Sequence, residues 1–556
     1  MDHIEINLLD LNEKKSVERG ITLGKVIDEL KDTLLYMPLG ALVNNVLLPF
    51  DTPLINPCDI RFITIQSEDG LRIYLRTLSL ILSTAVHNVL PSFRLYVEHS
   101  IANGYYCSIE NGSLVGSDDL AAIKKEMNRL IAANLNIESK VLPASEAAAM
   151  LEERGDKDSA LLIENCGTLY VTLHGIEGFF NPYYGALAPK TGAVYLYDLI
   201  PHLDGFLLRV PDMAQPSRLA PIEVQPMMRS VIKEQDRLLK MLHLEYMGSV
   251  NQAIDDGKLK EMILISEAMQ EKKITHIADR IAEGYQRGVR VVLVSGPSSS
   301  GKTTFTNRLT TQLRTCFLQP RMISIDNYFV DRELTPRTPS GEYDFEALTA
   351  IDLKLFNADI SALLAGKTIE LPTFDFTMGK RVYKGDTMTM EKGDVLLLEG
   401  IHALNPNLLK SVPKEVLHRV YVSCLTALGL DPNNRISTTD NRLLRRMIRD
   451  HSYRGYSAVD TLHNWDSVRA GEEKWVFPYQ ELADDMFNSA MVYELSALRP
   501  FAEPLLYQVP QALPEYATAQ RLLRFLRLIR PIRSEQLPRA SLLREFVGGS
   551  VFYNHD

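Results

Sequence analysis

The spacing of apolar positions changes character several times along the chain, and each change marks an element. Near the start, "HIEINLL" alternates apolar and polar residues as a half-buried strand does, whereas "TLGKVIDEL" has helical spacing with Thr22 as its cap. Short strand-like runs flank Asn44-Asn45, a predicted turn, and "DIRFITI" is one more strand. Helical periodicity near Leu75–Leu90 and Asp118–Ala133 brackets "FRLYVEHSIANGYYCSI". The pieces "ALLIENCG" and "LYVTLHG" read as strands ahead of the Gly/Pro-rich "NPYYGALAPKTGAVYLY". From 212 to 288 the chain is mostly helical and rich in charge. "VRVVLVS" is then a β-branched run with the pattern of a strand buried on both faces, and "KTTFTNRLTTQL" returns to helical spacing.

Two further strands follow, "RMISIDNYF" (Arg321 to Phe329) and "DVLLLEGIHAL" (Asp394 to Leu404). The chain is expected to divide into five parts. Residues 1–66 form a small β-grasp unit, 67–211 an α+β unit and 212–288 a helical connector. Residues 289–510 form an α/β unit with a parallel sheet flanked by helices, and 511–556 a C-terminal helical extension.

Composition narrows the function classes. With 556 residues, 46% apolar and 23% charged, the chain has the make-up of an ordinary multidomain globular protein. A net charge of −10, with ten acids against six bases in residues 1–66, argues against a protein whose main task is gripping nucleic acid. Five scattered cysteines without a C-x-x-C argue against a disulfide framework or a zinc knuckle and fit a reducing cytoplasm. The acidic opening lacks the pattern of a signal peptide. The longest apolar run, "LSLILSTAVHNVL", is broken by polar residues, so neither export nor membrane insertion is expected.

The chemistry begins at Gly296-Pro-Ser-Ser-Ser-Gly301-Lys302-Thr303, a full match to G-x-x-x-x-G-K-[ST]. In such a loop, main-chain N–H groups curl around phosphate oxygens and the following helix offers its positive end. Gly296, Ser298, Ser299, Ser300, Gly301, Lys302, Thr303 and Thr304 are therefore the candidate nucleotide-binding residues. Lys302 would reach the outer phosphates, and the Thr303 hydroxyl could ligate Mg²⁺. Asp326 ends one apolar strand; it fits a base that touches Mg²⁺ and also fits a turn-forming residue beside Asn327. Glu399 ends another and fits a metal-directed carboxylate or a solvated strand end. In "DNRLLRRMIRDHSYRG", Arg442, Arg445, Arg446 and Arg449 recur at helical intervals, either as a lid over phosphates or as a solvated basic face.

Taken together, "GPSSSGKTTF", "IDNYF", "YDFEAL", "LPTFDFTMGKR", "VLLLEGIHAL" and "RLLRRMIRD" occur in an order that resembles the uridine kinase/phosphoribulokinase family over about residues 290–500. The resemblance implies transfer of the ATP γ-phosphoryl group, with Mg²⁺, to a nucleoside 5′-hydroxyl. It implies that Asp326 is the catalytic base, assisted by Lys302, Arg445 and Arg449, and that Thr303, Asp326 and Glu399 surround the metal. It further implies that Asp344 binds the ribose, that Arg446 and Arg454 belong to the lid, and that Phe374, Phe376 and Arg381 bind the acceptor. Phe374 replaces the family's Tyr and Gly379 stands where a base-contacting His is carried, so the nucleobase stays open, as does a non-nucleoside acceptor.

Residues 1–66 resemble a TGS domain, and 67–211 resemble the second additional domain of threonyl-tRNA synthetases, carried by "SIANGYYCSI" and "NPYYGALAPKTG". That family removes mischarged amino acids there, with a metal-binding H-x-x-x-H and a later Cys and His. Here Arg76, Leu80, Tyr183 and Leu187 stand in those places, so a retained fold without the editing chemistry is implied. His402, His451 and His463 lack partner spacing and read as structural or surface residues, and Trp465 and Trp475 as packing. Arg521, Arg524 and Arg527 read as one face of an amphipathic surface helix. The leading expectation is a small-molecule kinase whose front half regulates, stabilises, oligomerises or senses a ligand. The alternative is an RNA-associated NTPase that holds tRNA through its synthetase-like half.

Overall fold

The computed structural model describes residues 2–109, 116–338, 341, 343–375 and 378–553. The first unit is a five-stranded mixed sheet with His3–Leu8 and Cys58–Ile63 parallel at its centre. Alternation turns Ile4, Ile6 and Leu8 inward, where helix Leu23–Leu30 covers them with Leu23, Val26, Ile27 and Leu30. Thr22 caps that helix by accepting the Lys25 N–H at 3.4 Å. Asn44 and Asn45 both take positive φ (48° and 63°), as a two-residue hairpin turn requires. The sequence pattern missed the edge strand Glu13–Glu18, because only Val17 in it is buried.

In the second unit, helices Glu68–Val89 and Ser117–Ala132 pack on a four-stranded sheet ordered Asp198–His202, Gly205–Arg209, Gly104–Ile109, Leu95–Ile101. Beside it stands a three-stranded sheet of Glu138–Pro143, Tyr170–Ile176 and Phe179–Pro182. "ALLIENCG" is not the expected strand. It lies largely in helix Lys157–Asn165, where the Asp156 carboxylate caps the Ser159 N–H at 3.3 Å. A short apolar run has no period of its own, and the cap decides it.

Residues 226–286 form three helices, Pro226–Leu242, Met247–Asp255 and Leu259–Gln286. The last puts Ile274, Ile277 and Ile281 into one core with Val292, Val294 and Phe305. The kinase-like sheet is parallel throughout, ordered Gln319–Ser324, Asp394–Glu399, Val291–Ser295, Leu417–Ser423, Asp485–Asn488. Period-two alternation sends Val292, Val294, Leu397 and Val422 to one core and Val291, Leu293, Leu398 and Tyr421 to the other. The expected boundary at residue 510 is not a packing boundary. Leu522, Leu523, Leu542, Leu543 and Phe546 are buried in the first of these cores, so the C-terminal segment is part of it. Helix Tyr516–Leu526 is amphipathic as expected, with Arg524 and Arg527 exposed, but Arg521 turns inward to Asp440.

The two halves meet at a hairpin, Gly429–Asp431 with Asn434–Arg435. The Val97 N–H donates to Pro432 O at 2.8 Å, Asn434 Nδ2 to Pro182 O at 2.9 Å and Ser83 Oγ to Asn433 Oδ1 at 2.9 Å. No helix among the described residues is long and apolar enough to cross a membrane.

Candidate functional site

Strand Val291–Ser295 runs into Gly296, and the chain turns through Gly301 into helix Lys302–Thr315. At Gly296 a Cβ would stand 2.1 Å from Val422 O, so no side chain fits. Gly301 has φ 83° and Ser299 φ 59°, which curls the backbone into a concavity. Lys302 folds back, donating from Nζ to Pro297 O at 3.1 Å. The buried Ser299 and Ser300 hydroxyls have no hydrogen-bond partner among the described residues. Donors left without an acceptor in this concavity fit a loop shaped for an external oxyanion.

Two strand ends and a turn supply the acids. The parallel register sets Glu399 beside Val294 and beside Ser324. Two residues beyond Ser324, Asp326 lies in the turn Ile325–Tyr328. Gly400 permits this, since a Cβ there would come within 2.8 Å of Ile325 Cβ. Burial raises the Asp326 carboxyl, opposed by Lys302, Arg454 and Arg449. Burial pushes Glu399 up to about 7, with Lys302 opposing and Asp326 and Glu545 adding to the rise. A third carboxyl, Glu346, is also raised by burial to about 7, in the field of Arg446, Glu472, Asp326 and Lys302. Sequence reasoning missed Glu346, although it sits two residues after Asp344 in the quoted "YDFEAL". Asp344 itself lies in the adjoining turn, its N–H donating to Pro336 O at 2.7 Å. Thr303, Asp326 and Glu399 offer hard oxygen donors, a set that suits Mg²⁺.

The arginines of helix Thr438–Arg454 separate into two groups rather than forming one lid. Arg442 donates to Ser298 O at 3.1 Å and pairs with Glu472. Arg445 is fully buried, pairs with Glu494 and donates to Ser489 O at 3.1 Å and Ser299 O at 3.4 Å. Its place is behind the loop, holding carbonyls, so it is a positioning residue; the helix face it occupies looks into the core. Arg446 reaches the Ser298 hydroxyl at 2.7 Å. Arg449 and Arg454 share Asp450, at 2.7 and 3.6 Å, in the field of Asp326.

Two carboxylates sit on the loop. Glu472 accepts the Ser298 N–H at 2.8 Å. Glu545 accepts from the Thr304 N–H at 3.1 Å and from its hydroxyl at 2.6 Å, and the Tyr553 hydroxyl is 3.0 Å from Thr304 Oγ1. Nothing in the local sequence pattern pointed to either.

The acceptor side departs from expectation. Strand Ile369–Asp375 alternates so that Phe374 faces inward, 6% exposed, edge-on to Phe329 at 5.6 Å. Its ring serves the core instead of presenting a face for stacking. Gly379 has φ 67°, and a Cβ there would stand 2.8 Å from Arg332 Nε, so this position holds glycine for backbone reasons. Arg381 pairs with Asp352 at 3.2 Å. Phe376 lies outside the described residues. His402 is buried against Trp475 and lowered by burial to about 4, while His451 and His463 are exposed. Trp465 packs in the core. In the second unit, Leu80 and Tyr183 are buried in the core, Leu187 packs against it, and Arg76 donates to Ala186 O at 3.3 Å. These four side chains offer no imidazole, thiolate or carboxylate to a metal.

Residues 291–496 match the model of the phosphoribulokinase/uridine kinase family. A uridine kinase from Halobacterium salinarum is 28% identical over 34% of this chain and 76% of its own length. Uridine-cytidine kinase 2-B from Danio rerio is 28% identical over 38% of this chain and 77% of its own. A threonine–tRNA ligase from Thermotoga petrophila is 31% identical over 35% of this chain, which spans only 30% of the ligase. A solved structure titled a possible uridine kinase from Bacillus stearothermophilus aligns over 38% of this chain and 98% of that one, at 17% identity and a TM-score of 0.27. The chain thus carries a phosphoribulokinase/uridine kinase family domain at residues 291–496, joined to an N-terminal half similar to threonine–tRNA ligases.

Proposed function

We propose that the protein transfers the γ-phosphoryl group of ATP to a hydroxyl of a small acceptor, the 5′-hydroxyl of a nucleoside being the first choice. One observation carries this reading: Lys302, Asp326 and Glu399 share one buried electrostatic neighbourhood at the mouth of the phosphate loop. Two uridine kinases at 28% identity over three quarters of their length favour a nucleoside acceptor. Thr303, Asp326 and Glu399 would hold Mg²⁺, which when bound neutralises charge on the phosphate oxygens. Lys302 and the loop N–H groups orient the outer phosphates, and Arg446, Arg449 and Arg454 supply the surrounding positive field. Asp326, ionised, takes the proton from the attacking hydroxyl; its raised affinity for protons suits that role. The first 211 residues are read as a TGS-like unit and an editing-like unit that has lost its metal donors.

The test is ADP release from ATP and Mg²⁺ with a panel of nucleosides, sugar phosphates and pantothenate, and separately with tRNA. Nucleoside-dependent ADP release that Asp326→Asn abolishes is the expected result. Release stimulated by tRNA alone would replace this reading with an RNA-associated NTPase.

A further inference from the structure

A cavity of about 1170 Å³ lies between the second unit and the kinase domain. One wall is helix Glu68–Val89; the facing wall is the Gly429–Arg435 hairpin and the first turn of helix Thr438–Arg454. Four of the six arginines that line this space, Arg72, Arg76, Arg435 and Arg521, lie in the field of one carboxylate, Asp440. Arg72 contacts Asp440 at 2.7 and 3.0 Å and Arg521 at 2.6 Å. Against the cost of burial, Arg521 and Arg72 hold Asp440 well below the usual carboxylate range. Glu68 and Asp69 add contacts to the same two arginines, at 3.4 and 3.5 Å.

Arg76 and Arg435 are not matched in this way. Among the described residues neither has a carboxylate at ion-pair distance. Arg76 reaches only the carbonyl of Ala186. Arg435 lies over the Tyr105 ring at 5.0 Å, and its buried Nε has no hydrogen-bond partner. Burial lowers both, Arg76 to about 10, and the neighbouring arginines add to the fall; the more distant Asp440 opposes it without reversing it. Two other acids of the lining are engaged elsewhere. Glu481 accepts the Met227 and Met228 N–H groups at 3.0 and 3.2 Å, and Glu473 pairs with Arg469 at 2.9 Å. A buried cation without a partner is costly, and guanidinium pairs suit phosphate oxygens. The wall near these groups mixes Leu75, Tyr105, Tyr184 and Phe525 with polar residues such as Ser79, Asn433 and Ser437. The space matches or exceeds the roughly 300–1,000 Å³ of sites that enclose small ligands.

We propose that this cavity binds a phosphorylated small molecule of nucleotide size, its phosphate held by Arg76 and Arg435 and its ring against Tyr105, and that the Thr438–Arg454 helix senses it through Asp440. The same helix holds the phosphate loop through Arg442 and Arg446, so a ligand drawing Arg72 or Arg521 away from Asp440 acts on the loop. The cavity's lining runs on to Pro297 of the phosphate loop and to Arg442, whereas the ligand's phosphate is placed at Arg76 and Arg435, so failure of this proposal would leave the kinase reading untouched.

The experiment is calorimetric titration of the full chain with UMP, UTP, AMP and inorganic phosphate, without divalent ions, in a Lys302→Ala background. One of the nucleotides is expected to bind at about one per chain. Adding Arg76→Gln and Arg435→Gln should weaken it at least about tenfold, while the same pair placed in the wild-type chain leaves basal ADP release within about twofold. If the Gln pair does not fold, Arg76→Lys with Arg435→Lys is used, which keeps charge but loses the planar fork; a several-fold loss is then expected. Hydrogen exchange in 438–454 should slow or quicken on binding. Unchanged affinity in the arginine variants, binding no tighter than inorganic phosphate, binding of tRNA but of no nucleotide, or unaltered exchange would each overturn the proposal.

Discussion

The phosphate loop and the cleft beside Arg76 are both polar hollows in mixed folds, and they balance charge differently. Around the loop, buried cations have acids: Arg442 has Glu472, Arg445 has Glu494, and Lys302 lies among Asp326, Glu399 and Glu346. In the second unit, Leu80 and Tyr183 have joined the core and Arg76 faces the cavity with no acid at ion-pair distance among the described residues. A fold is kept by its apolar register, which tolerates many substitutions, whereas a site depends on a few polar atoms and is lost when those change.

The widest contrast comes from removing one charged side chain on each side. Lys302→Ala or Asp326→Asn should lower phosphoryl transfer by roughly a thousandfold or more with the melting temperature little changed, whereas Arg76→Ala should leave basal turnover near wild type. Equal losses would erase the distinction. Asp440→Ala removes the shortest ion pairs of Arg72 and Arg521, leaving them Glu68 and Asp69, and should cost about 1.5–3 kcal/mol in denaturant unfolding, more than Arg76→Ala costs. Glu545→Gln weakens a carboxylate that takes the Thr304 N–H and hydroxyl in the first turn after the loop, so the KM for ATP should fall by roughly tenfold in steady-state assays. The smallest effect is on pH. Glu399 and Glu346 are raised to about 7, so their contribution to stability is complete at acid pH and lost as pH climbs through about 7. Melting temperature should decline by a few degrees from pH 6 to 8, and Glu346→Gln should flatten that decline. kcat/KM should run the opposite way, falling toward acid pH, because Asp326, whose carboxyl is raised by burial, must be ionised to act as base.

Much of this was legible because the relevant patterns are local. A β-branched run before a glycine loop and a helix after it positioned Lys302, and an apolar strand ending in Glu399 announced its burial. Arg445 shows the limit of helical spacing: the period says which residues share a face, not whether that face meets phosphates or the core. Strand Glu13–Glu18 escaped because an edge strand needs only one buried residue. Glu472 and Glu545 meet the loop from 174 and 241 residues away, a contact that only the assembled core creates.

The long helix Leu259–Gln286 carries a practical consequence for dissection of the gene. It gives Ile274, Ile277 and Ile281 to the sheet's own interior, and Tyr246 bridges to Gly429. A fragment cut at the strand Val291–Ser295 would lose those isoleucines and leave their partners Val292, Val294 and Phe305 facing water, so a soluble catalytic piece has to start upstream of Tyr246 and run on through Phe546.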